Sequence, residues 1–174
     1  MQAKYYVREM RKEDSTTVLN LAMKSWKYTY KDIFTESFIE SYVKRAYRPE
    51  SLENIIEHAN LGLSKFLVLV EKDRERIAGY AQIGYDRYWE TRKKMNPLRL
   101  FRIYLDPKIL GKGLGNLLLE KAEEFVKQEN QTSYIVGVHE KNTIGLRFYK
   151  RMGFKMTSKV TDAEGEIYFK KTIE

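Results

Sequence analysis

The sequence predicts a mixed α/β (α+β) fold in a single domain that spans residues 1–174. The length suits one domain, and a hydrophobic content of 43% is enough to fill a core. Short apolar runs typical of strands alternate with segments whose apolar residues recur at helical spacing. The resulting element order is β-α-α-α-β-β-β-α-β-α-β-β, with α/β character in the second half.

The first half begins with a predicted strand over residues 5–10, and Asp14 is a candidate N-cap for the first helix. The apolar residues of that helix recur at helical spacing: Val18, Leu21, Ala22 and Trp26. Aromatic residues every four positions predict the second helix: Phe34, Phe38 and Tyr42. Residues 51–61 predict a third helix that Gly62 ends. The runs 65–71 and 77–83 then predict a hairpin.

The second half begins with a polar stretch, residues 86–97, that predicts a loop. Residues 98–105 predict a strand, which ends at Pro107 because proline cannot donate to a β-ladder. A glycine-rich turn follows, and then a long helix with one apolar stripe. Residues 133–138 predict a strand and residues 143–152 predict a helix. The helix ends at residues 153–154, and residues 164–171 predict the last strand.

Composition excludes several kinds of function. A net charge of +8 suits an anionic partner, either nucleic acid or a phosphate-rich cofactor, although a solvated charged surface explains it equally well. The absence of cysteine excludes disulfides and thiolate chemistry. Two histidines without metal-ligand spacing predict no metal site. We expect a soluble, cytoplasmic protein without a membrane or nucleic-acid partner; the oligomeric state stays open, a homodimer included.

The turn before the long helix is the strongest local signal. Gly111, Lys112, Gly113, Leu114, Gly115 and Asn116 place backbone N–H groups at a helix N-terminus, which favours an anion. We expect that a Cβ at Gly113 or Gly115 would hold a phosphate away from the backbone. The glycine spacing fits neither a P-loop nor a dinucleotide fingerprint, and no kinase motif follows.

Two blocks of the chain resemble motifs of the GCN5-related N-acetyltransferase (GNAT) family. The first is the strand end IYLDP at residues 103–107 followed by LGKGLG at 110–115, similar to Q/R-x-x-G-x-G/A, although Leu110 replaces the usual Gln or Arg. The second is NTIGLRFYKRMGF at 142–154, similar to N-x-x-A-x-x-F-Y-x-x-x-G-F, with Gly145 for Ala. The N-terminal third also resembles PaiA-like polyamine acetyltransferases, through SWKYTY at 25–30, the helix at 38–42 and IAGY at 77–80.

The resemblance implies a GNAT fold, a mixed and mostly antiparallel twisted sheet of about seven strands that is splayed at the acetyl-CoA site and flanked by helices. It implies transfer of an acetyl group from acetyl-CoA to a primary amine in a ternary complex. The backbone of Ile103, Tyr104 and Leu105 would bind pantetheine, and residues 111–116 the pyrophosphate. Asn142 would contact the pantetheine arm and also serve as an N-cap. Tyr149 would be the acid that protonates the leaving thiolate.

The acceptor half of the site is less defined by the sequence. A free alkylamine is only about 0.04% neutral at pH 7, so a base is useful. The two positions where family members carry a carboxylate, on the strand 98–102 and at Gly137, have none. Asp86, Glu90 and His139 are substitutes, and the base stays unassigned. Asp32, Glu36 and Glu40 form either an acidic lining for a polyamine or a solvated helix face. A protein or peptide amine and a non-catalytic acyl-CoA sensor remain alternatives.

Overall fold

Seven strands and five α-helices lie within residues 4–85, 97–157 and 165–173, which the computed structural model describes. The strands are β1 (Tyr5–Glu9), β2 (Ser64–Glu71), β3 (Arg76–Gly84), β4 (Leu98–Leu105), β5 (Ser133–His139), β6 (Lys155–Met156) and β7 (Glu166–Thr172). The helices are α1 (Ser15–Tyr30), α2 (Glu36–Ala46), α3 (Pro49–Asn60), α4 (Leu114–Gln128) and α5 (Thr143–Arg151). The predicted element order is confirmed.

The strands form one sheet in the order β1-β2-β3-β4-β5-β7-β6. Neighbouring strands are antiparallel except β4 and β5, which are parallel. A parallel pair requires a crossover connection, and α4 provides it. The predicted mixed, mostly antiparallel sheet is therefore confirmed.

Helices cover both sides of the sheet. The core under α4 and α5 includes Leu67 and Leu69 of β2, while the core under α1, α2 and α3 includes Phe66, Val68 and Val70 of the same strand. A strand buried on both faces is expected to be apolar at every position rather than at alternate positions. This explains the continuous apolar run in β2.

The sheet opens between β4 and β5. The two strands pair over three positions, and the last of these pairs joins Leu100 to Val136. Beyond this point β4 continues along β3 as far as Leu105, whereas β5 continues along β7 as far as His139. The register between β3 and β4 shifts at Phe101, so β4 carries a bulge where it leaves β5. The bulge and the change of partner create the splay that the resemblance implies.

Asp106 fixes the end of β4 next to this opening. Its carboxylate accepts from Lys24 at 2.7 Å, from Arg76 at 2.9 Å and from the backbone N–H of Lys108 at 3.0 Å. Burial favours the neutral acid, but these three donors outweigh it and lower the pKa of Asp106. The turn that leads to the glycine-rich segment is therefore held to α1 and β3 by charge-assisted bonds.

The structure refines one predicted helix start and leaves one predicted loop undescribed. The second helix begins at Glu36, with Thr35 accepting from the backbone N–H of Phe38 as its N-cap, so Phe34 lies in the connection before it. Most of the predicted loop 86–97, including Asp86 and Glu90, falls outside the described residues.

Candidate active site

A cavity of about 750 Å³ lies where β4 and β5 separate. The N-terminus of α4 and helix α5 form part of its wall, and α1 and α2 form the opposite part. Most of the predicted site residues line it: Ile103, Tyr104, Leu105, Gly111, Gly113, Leu114, Gly115, Asn142 and Tyr149. Lys112 and Asn116 are not among the lining residues.

Two residues of β4 direct their backbone groups into the gap. The N–H of Asp106 donates to the carbonyl of Ala78 at 2.8 Å, so these residues face each other as a hydrogen-bonded pair. Such pairs alternate along an antiparallel ladder, which directs the backbone of Tyr104 to β3 and that of Ile103 and Leu105 to the gap. Of the three residues predicted to offer backbone groups, Ile103 and Leu105 do so, and Tyr104 contributes its side chain.

The glycine-rich turn exposes backbone donors at the start of α4. Gly111 and Gly113 have φ angles of 76° and 75°, in the left-handed region that favours glycine. A Cβ built on either would have no atom within 4 Å. Among the described residues, the N–H groups of residues 111–115 donate no backbone hydrogen bond. These donors and the positive end of the helix dipole form an anion site.

Gly115 has a packing reason in addition to the predicted one. A Cβ there would lie 2.9 Å from Cε2 of Phe148, so the glycine allows α5 to pack closely on α4. Its clearance for a phosphate stays a prediction, and the residue does line the cavity. Lys112 is exposed, and the N–H of Asn116 donates to the carbonyl of Gly113 at 3.2 Å.

Asn142 joins α5 to the other side of the sheet. Its Oδ1 accepts from the N–H of Gly145 at 2.9 Å, which confirms the predicted N-cap, and its Nδ2 donates to Oη of Tyr30 at 3.3 Å. The hydroxyls of Tyr30 and Tyr104 are 3.0 Å apart. Burial raises the pKa of Tyr30 to about 12, so the hydroxyl is neutral at physiological pH. Tyr104, Tyr30 and Asn142 thus link β4, α1 and α5 across the gap.

Tyr149 lies two turns beyond Asn142, on the wall of the cavity. The residue is buried, with its ring centroid 5.5 Å from that of Phe148 and 5.2 Å from that of Phe154. Its hydroxyl has no hydrogen-bond partner among the described residues. Burial raises the pKa of Tyr149 well above the usual value of a tyrosine. The phenol therefore keeps its proton over the working pH range and is available to a group in the cavity.

The opposite part of the cavity carries five rings that we call the aromatic wall: Trp26, Tyr30, Phe34, Phe38 and Tyr42. Successive ring centroids around the wall are 4.3 to 6.2 Å apart. Phe38 is 47% exposed, although phenylalanine is among the residues most often buried. An open apolar surface of this kind is suited to contact with a ligand.

The acidic residues considered for a polyamine lie elsewhere. Lys27 donates to Glu36 at 2.7 Å and to Glu40 at 2.6 Å, so both carboxylates are paired with the same ammonium group. Neither of them, nor Asp32, lines the cavity. Of the two alternatives that the sequence left open for these residues, the structure therefore supports the solvated helix face over the acidic lining.

Residues 25–154 match the acetyltransferase (GNAT) family. The chain belongs to this family. It is 31% identical over 165 residues to the spermidine N(1)-acetyltransferase of Thermoplasma acidophilum, which covers 95% of this chain and 96% of the relative.

Solved structures agree with this assignment. The PaiA N-acetyltransferase of Thermoplasma acidophilum in complex with coenzyme A matches 97% of this chain and 98% of its own, with a TM-score of 0.84 and 28% identity. A putative GNAT acetyltransferase of Desulfovibrio desulfuricans matches 98% and 99% of the two chains, with a TM-score of 0.70. Its identity of 21% supports the fold alone.

The protein is thus an acetyl-CoA-dependent N-acetyltransferase. Its own geometry fits coenzyme A, because one cavity combines a free strand edge at Ile103 and Leu105 with an anion site at Gly111 and Gly113. Pantetheine carries amides that can add to such an edge, and pyrophosphate suits a helix N-terminus.

Five charged residues of the cavity were missed by sequence reasoning: Arg45, Arg102, Arg147, Arg151 and Glu166. Arg147 and Arg151 are one turn apart on α5, which packs on the start of α4. Two cations at that spacing beside a predicted phosphate turn were a usable signal. Glu166 lies at the start of β7, and only the pairing of β7 with β5 brings it to the cavity. Nothing in its local sequence indicates this position.

Other kinds of site find no support in the described ranges. In residues 4–85, 97–157 and 165–173, no group of three acidic, histidine or cysteine side chains could hold a metal ion. Over the same ranges, no helix is long and apolar enough to cross a membrane.

Proposed function

We propose that this acetyltransferase, as a single domain over residues 1–174, acetylates a primary amine of a spermidine-like polyamine. The observation that carries the proposal is the identity of 31% with the Thermoplasma acidophilum spermidine enzyme over 95% of the chain. The aromatic wall supplies a physical reason. Aromatic faces attract alkylammonium groups by about 0.5 to 2 kcal/mol, and their apolar surface contacts the methylene segments between the nitrogens.

Within this proposal the cofactor half of the cavity holds acetyl-CoA, which supplies the thioester. The backbone groups of Ile103 and Leu105 bond the pantetheine amides, and the free N–H groups of residues 111–115 bind the pyrophosphate with Lys112 and Arg147 as nearby cations. An N–H on the open edge of β4 stabilises the negative charge that develops on the carbonyl oxygen. Asn142 positions this half by capping α5.

Tyr149 is the proposed acid. The amine attacks directly while both substrates are bound, the bond between carbon and sulfur breaks, and the phenolic proton passes to the departing sulfur. The raised pKa of Tyr149 keeps that proton in place until it is needed.

The test is acetylation of an amine panel by the purified protein, with release of free thiol followed over time. The panel contains spermidine, spermine, putrescine, free amino acids and a lysine-containing peptide. We expect kcat/KM for spermidine to exceed that for the peptide by at least about tenfold, or about 1.4 kcal/mol. Absence of thiol release above hydrolysis with every polyamine would refute the substrate; absence with every amine, with coenzyme A still bound, would favour a sensor.

Two arginines favour a second candidate acceptor, an amino acid or peptide amine that carries a carboxylate. Arg45 and Arg102 both line the cavity beside the aromatic wall. Nη1 of Arg102 is buried and has no hydrogen-bond partner among the described residues, and its guanidinium lies 4.6 Å from the ring centroid of Tyr47. A carboxylate would pair with such a group. Faster acetylation of amino acids than of polyamines in the same panel would select this candidate.

A further inference from the structure

The reaction requires a base that accepts a proton from the substrate ammonium group. The two strand positions expected to provide such a base carry no carboxylate. Among the described residues that line the cavity, Glu166 is the one carboxylate. It faces His139 across the pairing of β7 with β5, at the end of β5 where the sheet has opened. Position alone therefore brings an acidic group to the wall of the cavity where the sheet opens.

Gly137 shows how closely this carboxylate approaches β5. A Cβ built on Gly137 would collide with Oε2 of Glu166 and would lie 3.0 Å from Nη2 of Arg99. The φ angle of Gly137 is not positive, so the backbone conformation does not require glycine there. A glycine inside a strand weakens it and marks a close approach. The missing side chain at Gly137 thus leaves the space that a carboxylate from β7 occupies.

The carboxylate is held in place by neighbours. Nη2 of Arg99 donates to Oε2 of Glu166 at 2.9 Å, and the hydroxyl of Tyr168 donates to the same oxygen at 3.3 Å. The Glu166 side chain keeps 27% of its surface exposed, so it is fixed without being sealed from the cavity.

His139 is the other titratable candidate on this side, and its geometry argues against it. Its Nδ1 accepts from the backbone N–H of Lys141 at 3.2 Å. Because Nδ1 accepts this hydrogen bond, the single proton of the neutral ring lies on Nε2. Nδ1 is then the one ring nitrogen with a lone pair that could accept a second proton. Protonation of Nδ1 would break the bond to Lys141. The imidazole is therefore poorly placed to act as the base.

We infer that Glu166 is a catalytic residue that receives the first proton of the substrate ammonium. The inference rests on the N-acetyltransferase function, but it requires only that the acceptor is an alkylamine. One proton moves from the ammonium nitrogen to the carboxylate, directly or through one water, and then to solvent. The freed lone pair attacks the thioester carbon, the electron pair of the broken bond leaves on sulfur, and Tyr149 protonates it. The second nitrogen proton goes to solvent, and one solvent proton restores Tyr149.

The decisive measurement is the pH dependence of kcat/KM for the amine in Glu166→Gln. With the carboxylate present, the ammonium itself is a substrate, and kcat/KM is nearly level between pH 6.5 and 8.5. Without it only the neutral amine reacts, so kcat/KM rises about tenfold per pH unit towards the pKa of the amine. We expect a loss of about 100-fold at pH 7 with an unchanged KM for acetyl-CoA. The groups around Glu166 that also titrate or carry charge are Arg99, His139, Tyr168, Tyr30 and Tyr149.

Glu140→Gln is the matched control, because it removes one exposed carboxylate beside β5 that does not line the cavity. It should keep both the rate and the level pH profile. If Glu166→Gln does not fold, Gly137→Ala provides the test, since its Cβ displaces the carboxylate and should produce the same pH slope. A rate within threefold of wild type, or an equal loss at every pH, would overturn the inference.

The outcomes separate this inference from the proposed substrate. A wild-type enzyme that acetylates another alkylamine but no polyamine refutes the substrate, and the Glu166 test then uses that amine. A wild-type enzyme that acetylates spermidine while Glu166→Gln keeps the wild-type pH profile refutes only the role of Glu166.

Discussion

Replacement of Tyr149 by phenylalanine separates the chemistry of this residue from its packing. The ring contacts with Phe148 and Phe154 are retained, and the lost hydroxyl has no hydrogen-bond partner among the described residues. The free energy of unfolding should therefore change by less than about 0.5 kcal/mol. Only the proton available to the leaving sulfur is removed.

The size of the kinetic effect follows from the environment of the phenol. A positioned general acid contributes about 10²- to 10⁴-fold. Burial raises the pKa of Tyr149 well above that of a thiol, which is about 8.5, so proton transfer to sulfur runs uphill. The low end of the range applies: we expect kcat to fall about 100-fold, or about 2.7 kcal/mol, with the KM for acetyl-CoA within twofold of wild type.

Tyr134→Phe is the control for this experiment. The hydroxyl of Tyr134 donates to Oε1 of Glu123 at 2.7 Å, and the residue does not line the cavity. Its loss should destabilise the fold by about 1.5 kcal/mol and leave kcat unchanged. Steady-state thiol release measures kcat, and thermal unfolding measures stability, for each of the two variants. Wild-type turnover in Tyr149→Phe, or a loss of rate matched by a loss of stability, would refute the reasoning.

Three further predictions concern the cofactor turn and its support. Gly113→Ala and Gly62→Ala both place alanine at a positive φ, so each variant should lose about 1 to 2 kcal/mol of stability in thermal unfolding. Only Gly113→Ala should also raise the KM for acetyl-CoA, because it reorients the backbone donors at the start of α4. Arg147→Gln should raise that KM about tenfold at low salt and less at high salt, whereas Lys150→Gln, on the same helix but outside the cavity, should not. Because the pKa of Asp106 is lowered in the folded state, its carboxylate stabilises the fold at pH values above its unfolded pKa of about 3.9. The difference in unfolding free energy between wild type and Asp106→Asn should therefore stay constant from pH 5 to 8 and shrink as the pH falls below 4. A constant difference down to pH 3 would contradict this.

The cofactor half of the site could be predicted because its parts are local in the sequence. Glycines at residues 111 and 113 followed by an apolar helical stripe define a turn and a helix N-terminus within a few residues. Asn142 and Tyr149 share one helix, so their common side follows from the helical repeat alone. Even here the packing reason for Gly115 could not be known, since the side chain that needs its space belongs to another helix.

The acceptor half could not be predicted in the same way because its parts come from distant segments. The aromatic wall follows four-residue spacing through two helices and the connection between them, yet the pattern equally describes a buried core. The pairing of Glu36 and Glu40 with Lys27 depends on how α1 packs on α2, and without it the acidic residues look available. Spacing within one element indicates which residues share a side, but not what covers that side.

Gly137 shows most clearly that spacing within one element does not reveal which residues from other elements lie next to a position. The resemblance to the family implies a carboxylate at residue 137, so a glycine there, judged from the sequence, indicates a lost function. In the folded chain the same glycine creates the space into which Glu166 extends from β7, with Arg99 of β4 holding it from the other side of the opening. A substitution that adds a side chain at residue 137 would therefore not restore a missing group but displace the one already there. The absence of a functional residue from a motif is informative only after the neighbours of that position in space are known.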